Sequence, residues 1–214
     1  MKHRPFFYWV VGIAITAIIV VTAFWLDDEV RDFIAQHQNR TVENIARWVS
    51  LIGDWPAHYY PGLVLAGVCW WRGRKKWMRI FLAMVLALVI AGMITRGINI
   101  TSGRARPSVG PQEVWHGISF RSKYHAFPSG HVAASTAVFA VLFLANRRVG
   151  AAFLAIPILI GLSRLYLEAH YLSDVVCAAV LGTLSALLMT RLLVWSNRDP
   201  KATVPDVELS LRRG

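Results

Sequence analysis

FPSGHVAASTAVFAVLFLA, residues 127–145, joins a short polar break to an apolar run long enough to form a helix. Pro128 cannot continue a preceding helix, and Ser129 is of the type that caps a following one. Gly130 and His131 then fall in the first turn, where backbone N–H groups lack intrahelical partners. A turn of that kind attracts anions, phosphate above all. Taken alone, Pro-Ser-Gly-His is also how an ordinary helix starts. The purpose of a histidine at the mouth of an apolar helix is decided by the polar residues that the rest of the chain brings to it.

Outward from that stretch the chain stays apolar. Of its 214 residues 56% are hydrophobic and 16% charged, with a mean hydropathy of +0.46. That balance excludes an ordinary soluble domain and predicts a single all-α, polytopic membrane domain over 1–214, its core at about 6–195. The net charge of +11 raises nucleic acid as a partner. The Lys and Arg residues, however, sit in short clusters between apolar runs rather than in an aromatic-interleaved patch, so no nucleic-acid partner is expected. Cys69 and Cys177 lie inside apolar runs, as small buried hydrophobes do, and no Cys/His spacing calls for zinc.

Six spans are expected. The first, about 6–26, follows Lys2 and Arg4; it is too long for a cleaved h-region, lacks a small-residue cleavage site, and is read as an uncleaved signal-anchor helix. Residues 27–50 mix Val30, Phe33, Ile34 and Trp48 with charges, which suits one or two amphipathic helices on the membrane surface or against the bundle, and equally a plain connecting loop. A weaker span at about 56–71 is interrupted by Pro61 and Gly62. It ends in the basic loop Arg72 to Arg79, which the bias of Lys and Arg toward cytoplasmic loops places inside. Spans follow at about 80–100, 129–145, 150–163 and 173–195, with a polar cytoplasmic tail at 196–214. Both termini are expected inside, and the tryptophans mark span ends. The fourth and fifth runs are shorter than the ~20 residues of a full span, so either their boundaries take in some polar residues or the helices shelter within the bundle.

That topology puts three polar stretches on one outer face: Gly103 to Pro107, Pro128 to His131, and Ser163-Arg164 with His170 and Asp174. Ionisable groups at such a depth are costly and therefore functional by default. Arg106 and Arg164 aimed at a helix N-terminus with Ser129 and Gly130 describe a phosphate cradle, because guanidinium forks match phosphate oxygens. Asp174, four residues after His170, can accept the imidazole Nδ1–H and present Nε2 as a nucleophile. His131 can protonate a leaving oxygen and later activate water. Nothing in this set requires a metal or a cofactor.

These residues resemble the type 2 phosphatidic acid phosphatase (PAP2) superfamily, whose signature stretches are Lys-x6-Arg-Pro, Pro-Ser-Gly-His and Ser-Arg-x5-His-x3-Asp. The second and third are matched in full at 128–131 and 163–174; the first is matched at Arg106-Pro107, with Asn99 where the family has lysine. Arg96, one helical turn earlier, and Lys123, in the outer loop, are candidates for the missing cation, and Arg104 for contact with a substrate headgroup. The resemblance implies a bacterial inner-membrane enzyme with an extracytoplasmic site. It would be a metal-independent phosphatase that hydrolyses a phosphomonoester or pyrophosphate of undecaprenyl, phosphatidylglycerol, phosphatidic acid or lipid A type through a phosphohistidine. A lipid phosphotransferase with the same intermediate is the alternative, and a non-enzymatic lipid transporter or binding protein the weaker one. His37 and His58 read as surface or interface residues, His116 and His125 as solvated loop residues, and Glu168 as a rim charge or an arginine partner.

Overall fold

The computed structural model of the chain describes residues 4–110 and 113–196. Lys2, His3 and the expected polar tail from 197 onward lie outside the described residues. The helices are α1 Arg4–Trp25, α2 Asp27–Gln36, α3 Arg40–Ile52, α4 Trp55–Trp71, α5 Lys75–Ser102, α6 Gly130–Ala145, α7 Arg147–Phe153, α8 Ala155–Tyr166 and α9 Leu172–Met189. A wider π-helical turn, Thr190–Trp195, prolongs α9. Among the described residues there is no strand, only an isolated bridge between Arg104 and Trp115.

Among the described residues, four helical stretches are long and apolar enough to cross a membrane: Phe7–Trp25, Lys75–Ser102, Arg147–Tyr166, which is α7 and α8 in succession, and Leu172–Trp195. The other two expected spans are shorter. α4 has 17 residues with Pro61 inside it, and α6 has 16, about 24 Å of helix against a hydrocarbon core of about 30 Å. α6 is the centre of the molecule, with Val132 through Leu142 buried without interruption. Its small face meets α9 so closely that a Cβ on Gly182 would stand 2.6 Å from the Ala133 carbonyl oxygen. Small residues at such a crossing let backbones approach where lipid supplies no hydrophobic drive.

Residues 27–52 form two amphipathic helices. Asn39 caps the second, its Oδ1 accepting the Thr41 N–H at 2.8 Å and the Val42 N–H at 3.3 Å. α3 buries Ala46 and Ser50 and turns Val42, Ile45, Trp48 and Leu51 outward. The α3–α4 turn lies over the N-terminal end of α6, which brings a segment outside every signature stretch to the site.

Candidate active site

The α5 C-terminus and the turn before α6 are tied together by side chains. Asn99 Nδ2 donates to the Thr95 carbonyl at 2.9 Å and to the Pro128 carbonyl at 3.1 Å, and Ser102 Oγ donates to the Phe127 carbonyl at 3.3 Å. The turn is fixed on its other side by the Ser129 N–H, which donates to the Asp174 carbonyl at 3.1 Å. Ser129 is at the N-cap position of α6 but makes no side-chain cap bond. Its Oγ is fully buried and has no hydrogen-bond partner.

A cavity of about 840 Å³ opens at this end of the bundle. Gly130, His131, Arg106, Arg164 and His170 all border it, drawn from α6, α8 and two loops. Ser129 lies directly behind this wall, and Asp174, fully buried, behind His170. The three polar stretches read from the sequence are therefore brought to one place.

The imidazole of His170 is held differently from the expected arrangement. Its Nδ1 lies 2.7 Å from the Ala126 carbonyl, and because a carbonyl only accepts, Nδ1 carries the proton and Nε2 keeps its lone pair. Asp174 Oδ2 is 3.7 Å from that same Nδ1, beyond a hydrogen bond, and accepts the Tyr171 N–H at 2.8 Å instead. Asp174 thus acts on His170 as a neighbouring negative charge, while the backbone carbonyl sets the tautomer. Burial holds the His170 pKa below the ordinary histidine value, with Arg164 and Arg106 adding to the effect and Asp174 opposing it. Burial also lowers the Arg106 pKa, again against the pull of Asp174.

Arg104 is not a headgroup contact. It is 4% exposed, and its guanidinium bridges Asp174 Oδ1 at 2.6 Å, Ser173 Oγ at 2.7 Å and Asp27 Oδ2 at 2.7 Å. Tyr171 and Trp115 cover it at 4.2 and 4.8 Å from their ring centroids. Asp27, at the start of α2, also accepts the Ser173 N–H at 2.8 Å and the Ser173 hydroxyl at 2.6 Å. A positive charge between two buried carboxylates was drawn inward because neither carboxylate tolerates burial unpaired.

Lys123, the other candidate for the missing cation, does not border the cavity. Its side chain is exposed and lies over the Tyr124 ring, 4.8 Å from the centroid. Arg96 does border the cavity, with Nη1 3.0 Å from His125 Nδ1. His125 is buried rather than solvated, and its Nε2 donates to the Ser119 carbonyl at 2.9 Å. Glu168 pairs with neither arginine; its Oε1 accepts from Gln38 Nε2 at 3.3 Å. His58 is 9% exposed, edge-on to Phe139, a packed residue rather than a surface one.

The α3–α4 turn supplies contacts that no motif announces. Ser50 Oγ accepts from Arg164 Nη1 at 2.7 Å. Asp54 Oδ1 stands 3.4 Å from His131 Nε2. A Cβ at Gly53 would lie 2.7 Å from Ile160 Cγ2 and 3.2 Å from His131 Cδ2, so the turn reaches the imidazole only with glycine there. Among the described residues, no three His, Cys, Asp or Glu side chains converge as metal ligands.

A model of the PAP2 superfamily matches residues 80–198. The lipid A 1-phosphatase of Rhizobium johnstonii is 33% identical over 118 residues, which cover 51% of this chain and 44% of that protein. The bacitracin transport permease protein BcrC of Bacillus licheniformis is 27% identical over 130 residues, 59% of this chain and 63% of that one. The chain spans about half the length of the relatives it matches in this way. Among solved structures, the fold is shared with LpxE of Aquifex aeolicus, at a TM-score of 0.60 and 18% identity over 78% of this chain and 95% of that one. It is shared also with the PAP2-type phosphatidylglycerolphosphate phosphatase of Bacillus subtilis, at a TM-score of 0.63 and 22% identity over 89% of this chain and 96% of that one.

Proposed function

Starting from a chain that belongs to the PAP2 superfamily, we propose that it is an integral-membrane lipid phosphate phosphatase working through a phosphohistidine on His170. The observation that carries this reading is the His170 Nδ1–Ala126 carbonyl contact of 2.7 Å, which leaves Nε2 unprotonated among Arg106, Arg164 and His131. Nε2 attacks phosphorus as the P–O bond to the lipid breaks, and His131 gives its proton to the departing oxygen. Water then attacks the phosphohistidine, His131 takes its proton, and orthophosphate leaves with Nε2 restored. Arg106 and Arg164, the Ser129 hydroxyl and the Gly130 N–H hold the phosphoryl oxygens as charge builds. Asp174 stabilises the positive imidazole of the intermediate.

The membrane arrangement proposed with it has six spans, α4 and α6 sheltering among the longer ones. Both termini are cytoplasmic, and the site faces the periplasm across the inner membrane of a bacterium. Substrates of this chemistry are undecaprenyl pyrophosphate, phosphatidylglycerol phosphate, phosphatidic acid and the lipid A phosphates. The test is a panel of these lipids given to purified protein in neutral detergent, scored by free phosphate with His170→Ala as blank. Phosphate release that depends on His170 is expected. Label appearing on a lipid or alcohol acceptor instead of in water would make the protein a phosphotransferase, and release undiminished in the His170→Ala protein would reject both.

A further inference from the structure

The cavity holds more positive charge than one phosphoryl group needs. Arg96, Arg106 and Arg164 border it, none within salt-bridge distance of a carboxylate among the described residues, and Asp54 is the one acidic side chain on its wall. In the phosphatase reading, on which a second anion site depends, Arg106 and Arg164 neutralise the dianion at His170. Arg96 remains. It uses Nη1 on His125 Nδ1, an atom made an acceptor because Nε2 donates to the Ser119 carbonyl. The other N–H groups of its five-donor fork stay available to the cavity.

The order of residues along α5 gives a direction. Asn99 lies at the level of the Pro128 carbonyl, Arg96 one turn below it, about 4.5 Å along the axis. Met93, Gly92, Val89 and Leu88 continue the same wall with apolar surface. A lipid with its scissile phosphate at the α6 turn and its tail along that apolar stretch therefore passes Arg96 on the lipid side of the scissile bond. Asn99 adds an independent sign of a ligand. The residue is only 6% exposed and borders the cavity, and its Oδ1 is buried with no hydrogen-bond partner. It is an acceptor placed for a hydroxyl or a protonated phosphate oxygen.

We infer that Arg96, seated on His125, binds a second anionic group of the substrate between the scissile phosphate and the tail, while Asn99 Oδ1 accepts from a protonated oxygen of the scissile phosphate beside it. The substrate class is then a lipid diphosphate, or a phosphomonoester joined to its lipid through a phosphodiester, in preference to a plain lipid monophosphate.

The experiment measures kcat/KM in neutral detergent for a polyprenyl diphosphate and for the monophosphate of the same chain length, in wild type, Arg96→Gln and Arg96→Lys. An anhydride and an ester differ in leaving group, so the readout is the change in their ratio on mutation. Arg96→Gln lowers the diphosphate-to-monophosphate ratio at least about tenfold, the scale of one charge-assisted contact, and Arg96→Lys lowers it less. Inhibition by methylenediphosphonate against orthophosphate gives the same comparison without turnover, with the same shift expected. Equal losses on both lipids would assign Arg96 to the scissile phosphate, and no loss on either would leave it without a substrate contact; each overturns the inference. A loss that appears only after anionic phospholipid is added would assign Arg96 to a neighbouring headgroup and overturn it as well. Wild-type protein that releases phosphate from neither lipid, and from no member of the lipid panel above, would instead fail the phosphatase reading itself.

Discussion

In the proposed mechanism, Ser129 and His170 are each prepared for work by what the side chain lacks. The Ser129 hydroxyl is fully buried and bonded to nothing, so its removal takes no hydrogen bond from the resting fold. Ser129→Ala is expected to leave thermal stability in detergent unchanged while lowering kcat by about 10²-fold, the effect of one lost oxyanion donor. At His170, the lowered pKa means that the neutral imidazole persists below the ordinary histidine range. The proton gained on acidification would be bound by the unfolded chain first, near pH 6.5, so both stability and nucleophile are retained above that value and lost only as pH falls toward the folded pKa. The acid limb of kcat/KM that belongs to His170 is therefore expected below about 6.5. Asp174→Asn, which removes the opposing negative charge, should move it further toward acid. The histidines, the aspartate and two arginines were legible because their types and spacings match the signature stretches of the PAP2 superfamily. Asp27, 77 residues from Arg104 and 146 from Ser173, carried no such mark: beside Asp28 and Glu29 it reads as one more acid at an interfacial turn.

Between elements, the strongest constraint is the buried set Asp27, Arg104, Ser173 and Asp174, which fastens α2 and the loop after α5 to the start of α9. Removing the one cation of a buried ion set leaves its anions uncompensated, at a cost of about 3–5 kcal/mol. Arg104→Met should accordingly lower the thermal midpoint in detergent sharply, and Arg104→Lys should recover only part of it, since a point charge cannot span both carboxylates. The α3–α4 turn is the second such fastening. Gly53→Ala forces the turn off His131 and Ile160, and a fall in kcat with KM little changed is expected from enzyme kinetics. Periodicity and apolar runs revealed the long helices, while the stretch after the first span read equally as one or two amphipathic helices or as a connecting loop. They could not reveal where α2 and α3 dock, because an amphipathic face specifies burial and not a partner. Arg104 was misread for the same reason: an arginine beside a motif looks aimed at substrate until the acids that claim it are known.

For the molecule as a whole, the apolar composition and the clustered basic residues made an all-helical membrane protein legible, and the structure carries, among the described residues, four helical stretches of full spanning length. In the proposed six-span arrangement, the central position of α6 is what lets a run of 16 residues suffice. The proposed orientation predicts that a cysteine placed at Lys123 reacts from outside whole cells with a membrane-impermeant maleimide, whereas one at Arg74 reacts only after the cells are opened; the reverse pattern would invert the topology. Within that frame, everything in the proposed chemistry depends on one bond, from His170 Nε2 to phosphorus. Rapid acid-free quenching of purified protein turning over a ³²P-labelled lipid phosphate, followed by peptide mapping, tests it directly. An alkali-stable, acid-labile label is expected on the peptide containing His170, absent from His170→Ala. Full phosphate release by His170→Ala, or label on a different residue, would overturn the phosphohistidine mechanism.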